Sequence, residues 1–188
     1  WSDFPARQAA AAAEGRFIGI GLSVYLKGSG RGPFEAATVR VGPSGRISVT
    51  SGVSAIGQGT RTMLAQIVAQ SLGVGVEDID VVIGDTSAIP YGMGAASSRQ
   101  TVTAGSSARS AAEEVRNKAL RVAAHILEAA EDDLEISDRR VHVKGVPGMS
   151  IGLGEIATQL AGAATGFALP AGENPGLEAH VAEQIDGL

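Results

Sequence analysis

Apolar and polar residues alternate along this chain with two different periods, and the switches between them mark its elements. Residues 34–41 (FEAATVRV) and 46–53 (RISVTSGV) alternate residue by residue around the turn GPSG, which predicts a β-hairpin with one buried face. The period then lengthens. Met63, Leu64, Ile67, Val68 and Leu72 recur at helical spacing across 60–72, and Gly73 supplies a stop. Residues 77–85 (EDIDVVIGD) read as a buried strand running into a turn, and 86–98 (TSAIPYGMGAASS) as a loop. The longest helical pattern covers about 100–130. Ala108, Ala112, Val115, Ala119, Val122, Ile126 and Ala130 form one stripe there, while Glu113, Asn117, Lys118 and Arg121 lie elsewhere. Glu114 and Lys118 are an i,i+4 pair worth about 0.3 kcal/mol.

The flanks are less regular. Residues 3–14 (DFPARQAAAAAE) predict a short helix, with Asp3 to cap it, Pro5 in its first turn and Gly15 to end it. Residues 16–26 (RFIGIGLSVYL) read as a strand, and 27–33 (KGSGRGP) as a flexible loop. Residues 134–145 (LEISDRRVHVKG) make a tight hairpin, and 150–160 (SIGLGEIATQL) a short strand or turn leading into a helix. The tail, 162–188, lacks strong periodicity and reads as an irregular connection. Strands and helices are interspersed without regular βαβ units, so the predicted class is α+β, with mixed strands and two main helices. The chain divides into a linker helix at 1–15, one domain segment at 16–160 and an irregular tail at 161–188.

Composition narrows this picture. With 188 residues there is enough chain for a real core, but aromatics are only 4 %. That core must be built from Ala, Val, Ile and Leu. The net charge of −5 argues against nonspecific nucleic-acid or acidic-membrane binding. With no cysteine, this chain holds no disulfide, Cys-ligated zinc or ordinary iron–sulfur cluster of its own. No apolar run approaches the roughly 18–20 residues that span a bilayer. The chain opens on Trp1, so it is expected to be a piece of a longer polypeptide.

Candidate chemistry is sparse. His125, His142 and His180 fall on different elements and have no ligand partner at metal-binding spacing, and no nucleophile elbow or phosphate-binding P-loop is present. Two glycine-rich loops remain, and each opens onto a helix. The first is Gly57-Gln58-Gly59, where a helix N-terminus favours anions and an amide can bond a heterocycle edge or an oxo group without adding charge. The second is YGMGAASSRQTVTAG, residues 91–105, with the composition of an anion cradle: backbone N–H groups, hydroxyls and one guanidinium at a helix start. For each loop a simple capping turn is the alternative.

In order along the chain, the GQG turn, the GDT turn, the PYGMG loop and the SSRQT helix entry resemble the molybdopterin-binding large subunit of the xanthine dehydrogenase family. The bacterial carbon monoxide dehydrogenase-like and aldehyde oxidase-like large subunits are the members in view. The resemblance covers most of 16–160 and implies a molybdenum-cofactor-binding domain. It implies that Gln58 lies against the cofactor, with Gly57 and Gly59 giving it room. Gly94, Ala95 and Ala96 would pass close to its metal side. Ser97, Ser98, Arg99, Gln100 and Thr101 would hold the pterin phosphate or a cytosine dinucleotide extension. The implied cofactor is molybdenum-molybdopterin in its cytosine dinucleotide form, with FAD and iron–sulfur clusters carried only by partner subunits. The remainder of the large subunit is a further partner. The setting the resemblance implies is cytoplasmic, or periplasmic in some bacteria.

The parent reaction would be hydroxylation of an aldehyde or N-heterocycle, or oxidation of carbon monoxide. The sequence departs from the family at Thr60, where many members have His or Leu, and it lacks the family's downstream K-G-x-G-E glutamate. Glu155 in GLGEIA comes too early and has no preceding lysine. No catalytic residue and no metal ligand is assigned, and the chain by itself is expected to be inactive. The tail PGLEAHVAEQIDGL resembles part of a family strand, HVAEVEVD. Two other readings remain. One is a scaffold that kept the fold without the cofactor, and the other is a generic nucleotide-binding domain. Apolar surface left uncovered by truncation would drive self-association.

Overall fold

The structure, a computed structural model, describes residues 1–162, 172 and 174–183. The alternating segments form the predicted hairpin, β1 (Glu35–Val41) and β2 (Ile47–Ser51), in antiparallel register with Val39 opposite Val49. Its inward residues Ala37, Val39, Val41, Ile47 and Val49 are buried. Helix α2 (Thr60–Leu72) follows, bounded by Gly59 and Gly73, both in the left-handed conformation. A 3-10 turn at Val76–Asp78 then feeds β3 (Ile79–Ile83), which lies parallel to β2 with Ile47 opposite Ile79.

Two expectations change here. The β2–α2–β3 segment is a parallel crossover unit, although the interspersed pattern predicts no regular βαβ units. And β3 is an edge strand rather than a buried one. Ile79 and Ile83 face the core while Asp80 is exposed and held from β2's side by Arg46, at 2.5 Å.

Helix α3 (Gln100–Leu127) crosses the sheet and α2 with a face of small residues, among them Ala104, Ala108, Ala111, Ala112 and Ala119. In a core nearly free of aromatics, these let the backbones approach. The predicted stripe holds from Ala108 to Val122, but Ala130 lies beyond the helix end. Lys118, assigned to the polar side, is buried. Its stem packs inward and its ammonium donates to the Asn174 carbonyl, at 2.7 Å.

A second sheet is made of β4 (Leu134–Ser137), β5 (Arg140–Val143) and β6 (Val146–Gly152). The β4–β5 turn is two residues long, with Asp138 and Arg139 both left-handed at φ 48° and 59°. Helix α4 (Leu153–Leu160) starts at Gly152, whose N–H donates to the Glu155 carboxylate at 2.6 Å. Glu155 is thus a helix-capping residue, with Arg140 nearby at 3.7 Å.

The larger corrections lie at the two flanks. The tail, read as irregular from its residues, carries β7 (Leu177–Glu183), the segment that resembles a family strand. It pairs antiparallel with the otherwise open edge of β1, giving the order β3-β2-β1-β7. Leu177 is buried, and Thr38 and His180 share a hydrogen bond of 2.8 Å across the pair. The rest of that tail, 163–171, 173 and 184–188, lies outside the described residues.

Conversely, 16–26 is not a strand. After α1 (Phe4–Ala13) the segment forms no regular element and joins neither sheet, with Phe17 93 % and Leu26 101 % exposed. A strand needs a partner for its backbone groups, and this segment pairs with no strand of either sheet. Asp3 makes no side-chain cap at α1. Among the described residues no helix is long and apolar enough to cross a membrane. Among the described residues, four α-helices and two sheets make the α+β class.

Candidate functional site

The N-termini of α2 and α3 open on the same end of the molecule, and a cleft of about 350 Å³ lies between the loops that lead into them. The first loop follows β2. Gly57 and Gly59 have φ 102° and 79°, values that side chains with a Cβ rarely adopt, yet a Cβ at either would touch no protein atom. Within the chain they are required by backbone conformation, not by crowding. Gln58 between them is tied at both ends. Its Oε1 accepts the Ile56 N–H at 2.7 Å, and its Nε2 donates to Gln100 Oε1. The same Gln100 oxygen accepts the Thr60 hydroxyl at 2.7 Å, and Gln100 Nε2 donates to the Ser54 carbonyl at 2.7 Å.

The second loop joins β3 to α3. At its start the exposed Asp85 accepts the Ser87 N–H at 2.9 Å and the Ser87 hydroxyl at 2.6 Å. The hydroxyl, then the N–H, hold the Asp85 carboxyl below the usual range for an aspartate. Farther on, Gly92 crosses Gly52 so closely that a Cβ on either would overlap the other's backbone, which pins the loop to the end of β2. Ser97 and Ser98 are successive left-handed residues, φ 47° and 50°, and the Ser97 carbonyl accepts the Gly30 N–H at 3.1 Å.

Arg99, expected as the cation of the cradle, sits behind it. Its guanidinium is 2 % exposed and pairs with the Glu35 carboxylate at 2.5 Å. It also donates to the carbonyls of Arg31, at 2.8 Å, and Phe34, at 2.6 Å. Glu35 in addition accepts the Met93 N–H at 2.8 Å, so β1 grips both ends of the 93–99 turn. Glu35 escaped the sequence reading, although a signal was present. It shares strand parity with Ala37, Val39 and Val41, so the alternation itself puts a carboxylate on the buried face. A buried carboxylate demands a cation, and Arg99 supplies it.

Of the eleven sequence candidates, Gln58, Ala95, Ala96, Ser97, Ser98, Arg99, Gln100 and Thr101 line the cleft, with Ile56, Thr60 and Met63 beside them. Gly57, Gly59 and Gly94 do not. The lining contains no carboxylate and no histidine, and its one guanidinium is already neutralised. The hydroxyls of Ser97, Ser98 and Thr101 have no protein partner among the described residues. Helix α3 adds its first-turn N–H groups, since Arg99 at the N-cap makes no side-chain cap. The arrangement suits an uncharged or anionic group rich in acceptors. Of the histidines, His142 bonds Glu135 at 3.0 Å and His180 bonds Thr38, both away from the cleft. Among the described residues no three candidate metal ligands cluster.

The family model described as molybdopterin cofactor-binding domain matches residues 1–182. The chain is 48 % identical over 145 residues to the 6-hydroxypseudooxynicotine dehydrogenase complex subunit gamma of Paenarthrobacter nicotinovorans, covering 77 % of this chain and 18 % of that protein. It is 39 % identical over 141 residues to the carbon monoxide dehydrogenase large chain of Afipia carboxidovorans, covering 69 % and 17 %. The crystal structure of quinoline 2-oxidoreductase from Pseudomonas putida 86 superposes on 98 % of this chain and 25 % of its own, with a TM-score of 0.72 and 36 % identity. The chain therefore spans a quarter or less of the length of these relatives.

Proposed function

Because the chain belongs to the molybdopterin cofactor-binding domain family, we propose that the cleft between the GQG turn and the start of α3 holds part of a molybdenum-molybdopterin cofactor. The observation that carries this reading is the convergence of both glycine-rich loops on one cleft lined by donors and free of carboxylates. That chemistry fits the acceptor-rich pterin and its phosphate. Gln58 would meet the pterin–dithiolene region or a ligand of the metal. Ser97, Ser98, Thr101 and the first-turn N–H groups of α3 would hold the phosphate or a cytosine dinucleotide extension. Ala95 and Ala96 would form the close wall on the metal side, with Gly94 leading into it. Arg99 would contribute by fixing the loop, because its charge is met by Glu35.

The whole protein would be a molybdenum hydroxylase acting on an aldehyde or N-heterocycle, or on carbon monoxide. When bound, the cofactor supplies the two-electron oxidation of substrate. Electrons would leave to FAD and iron–sulfur partner subunits, in keeping with relatives named as a complex subunit and as a large chain. The cleft lining offers no general base, so this chain alone should not turn over. Dye reduction by the pure chain with an aldehyde, a purine or carbon monoxide is the check on that point.

The binding reading is tested on the full-length protein made in a cofactor-competent host. Molybdenum and pterin per chain should be near stoichiometric in the natural protein and should fall in Gln58→Ala, with the circular dichroism spectrum unchanged. A full-length protein without molybdenum would overturn the reading in favour of a scaffold. Preferential binding of an ordinary mononucleotide would overturn it in favour of a generic nucleotide site.

A further inference from the structure

Resting on that reading, we propose that Gln100 is a positioning residue. It locks the Gln58 amide so that this side chain presents an N–H, not its carbonyl, as the group left for a ligand. The family resemblance gave Gln100 a place among the phosphate holders, but the hydrogen bonds give it another task. It is buried, and its partners are Ser54 and Gln58 on the other loop and Thr60 at the start of α2.

The polarity of this network is fixed from both ends. The Ser54 carbonyl can only accept, so Gln100 must turn Nε2 toward it, at 2.7 Å. Gln100 Oε1 then faces α2, where it takes the Thr60 hydroxyl at 2.7 Å and one N–H of Gln58. From the other end, the Ile56 N–H can only donate, so Gln58 must turn Oε1 toward it, at 2.7 Å. That leaves Gln58 Nε2 facing Gln100. The two assignments begin at different backbone groups and agree where they meet, an N–H against a carbonyl. Flipping the Gln100 amide would set its nitrogen against the Gln58 donor and its oxygen against the Ser54 carbonyl. Flipping Gln58 would fail at Ile56 in the same way.

The network also uses up the Thr60 hydroxyl hydrogen. The donor left on Gln58 is its second Nε2 hydrogen, on a side chain that is exposed in the cleft, while its Oε1 is turned back to the Ile56 N–H. A ligand atom meeting it must be an acceptor: an oxo group, a thiolate or carbonyl, or an unprotonated ring nitrogen. The network further ties the first residue of α3 to the loop before α2 across 42 residues of chain, fixing the two walls of the cleft relative to each other.

The test uses the full-length protein loaded with cofactor, and reads the rate at which molybdenum and pterin are lost in dilute urea. Four proteins are compared: natural, Gln58→Ala, Gln100→Met and the double variant. Gln100→Met keeps the length of the side chain without its polarity, and should speed the loss about tenfold, the loss of one well-oriented hydrogen bond. In the Gln58→Ala background the same change should add little, because the residue it orients is gone. A structural role for Gln100 independent of Gln58 would instead multiply the two single effects, and that result overturns the inference. So does a Gln100→Met rate equal to the natural one. Should Gln100→Met lose its circular dichroism signal, Gln100→Glu takes its place. It still accepts from Gln58 and Thr60 but sets a carboxylate against Ser54, and the same non-additivity is expected. If the natural protein carries no molybdenum, the cofactor reading falls and this inference with it. If it carries molybdenum and only the Gln100 effects are absent or additive, the inference alone falls.

Discussion

The loop between β3 and α3 is anchored by a charge at each end, and the two anchors sit at opposite extremes of burial. At its start Asp85 is exposed and bonds only its own turn, through Ser87. At its end Arg99 is sealed against Glu35, with 2 % and 0 % of the side chains exposed. Water shares the first charge, so losing it costs little. No water reaches the second pair, so removing one partner strands the other. Between these anchors, the wall that faces the cleft is uncharged, with Ala95, Ala96, Ser97 and Ser98, and Thr101 continues it just past Arg99. Charge at the back of the loop sets its shape, and neutral donors at the front line the cleft. An arginine in a serine-rich helix entry is therefore no anion ligand by residue type alone. The group that shares its burial decides.

The largest effect that tests this contrast is at the back. Glu35→Ala should cost about 3–5 kcal/mol in urea unfolding, because it leaves a buried guanidinium unmatched. Replacing both, Glu35→Met with Arg99→Met, should cost clearly less than the sum of the singles. The pair is not fully satisfied even in the natural chain, since Glu35 Oε2 is buried with no partner. A Glu35→Ala cost no larger than that of a surface substitution, within about 0.5 kcal/mol, would remove the distinction between the anchors.

A smaller effect separates front from back. Ser98→Gly relieves a left-handed non-glycine residue and should raise stability by up to about 1 kcal/mol. It also deletes a cleft hydroxyl, so cofactor retention in the full-length protein should fall about tenfold, the loss of one hydrogen bond to a charged group. Stability and retention moving in the same direction would show that the front wall, like the back, mainly supports the loop.

How much of this was legible beforehand follows from what each feature depends on. The β1–β2 hairpin, α2 and α3 were readable because a local period and a glycine stop determine them. The two flanks were misread for one shared reason. Residues 16–26 are strongly apolar yet remain unpaired, while 177–183, with Glu178, His180 and Glu183, becomes a strand because β1 has a free edge of matching length. Strand formation depends on a partner that no local pattern reveals. The GQG and SSRQT motifs located the cleft, but the direction of their side chains depended on contacts across the fold. Gln58 meets Gln100 at a separation of 42 residues, and Arg99 meets Glu35 at 64. Glu35 alone left a readable trace, through its strand parity.

The smallest expected effect lies at the exposed anchor, and its pH dependence sharpens the contrast most. The folded-state pKa of Asp85 is lowered, first by the Ser87 hydroxyl and then by the Ser87 N–H. A carboxyl whose folded value is depressed stabilises the fold fully above its unfolded value, about 3.9, and loses that contribution as pH falls through the lower folded value. Unfolding midpoints of the natural chain and of Asp85→Ala should therefore differ slightly at neutral pH and converge in strong acid. The difference should be largest where the carboxylate is ionised in both states, and salt should weaken it, as for any water-exposed charge. If the two proteins stay apart in acid, the carboxylate's charge is not what holds the turn. Both ends of the loop would then be fixed by packing, Asp85 by the bonds of its turn and Arg99 by the seal of β1, and burial would no longer explain their difference.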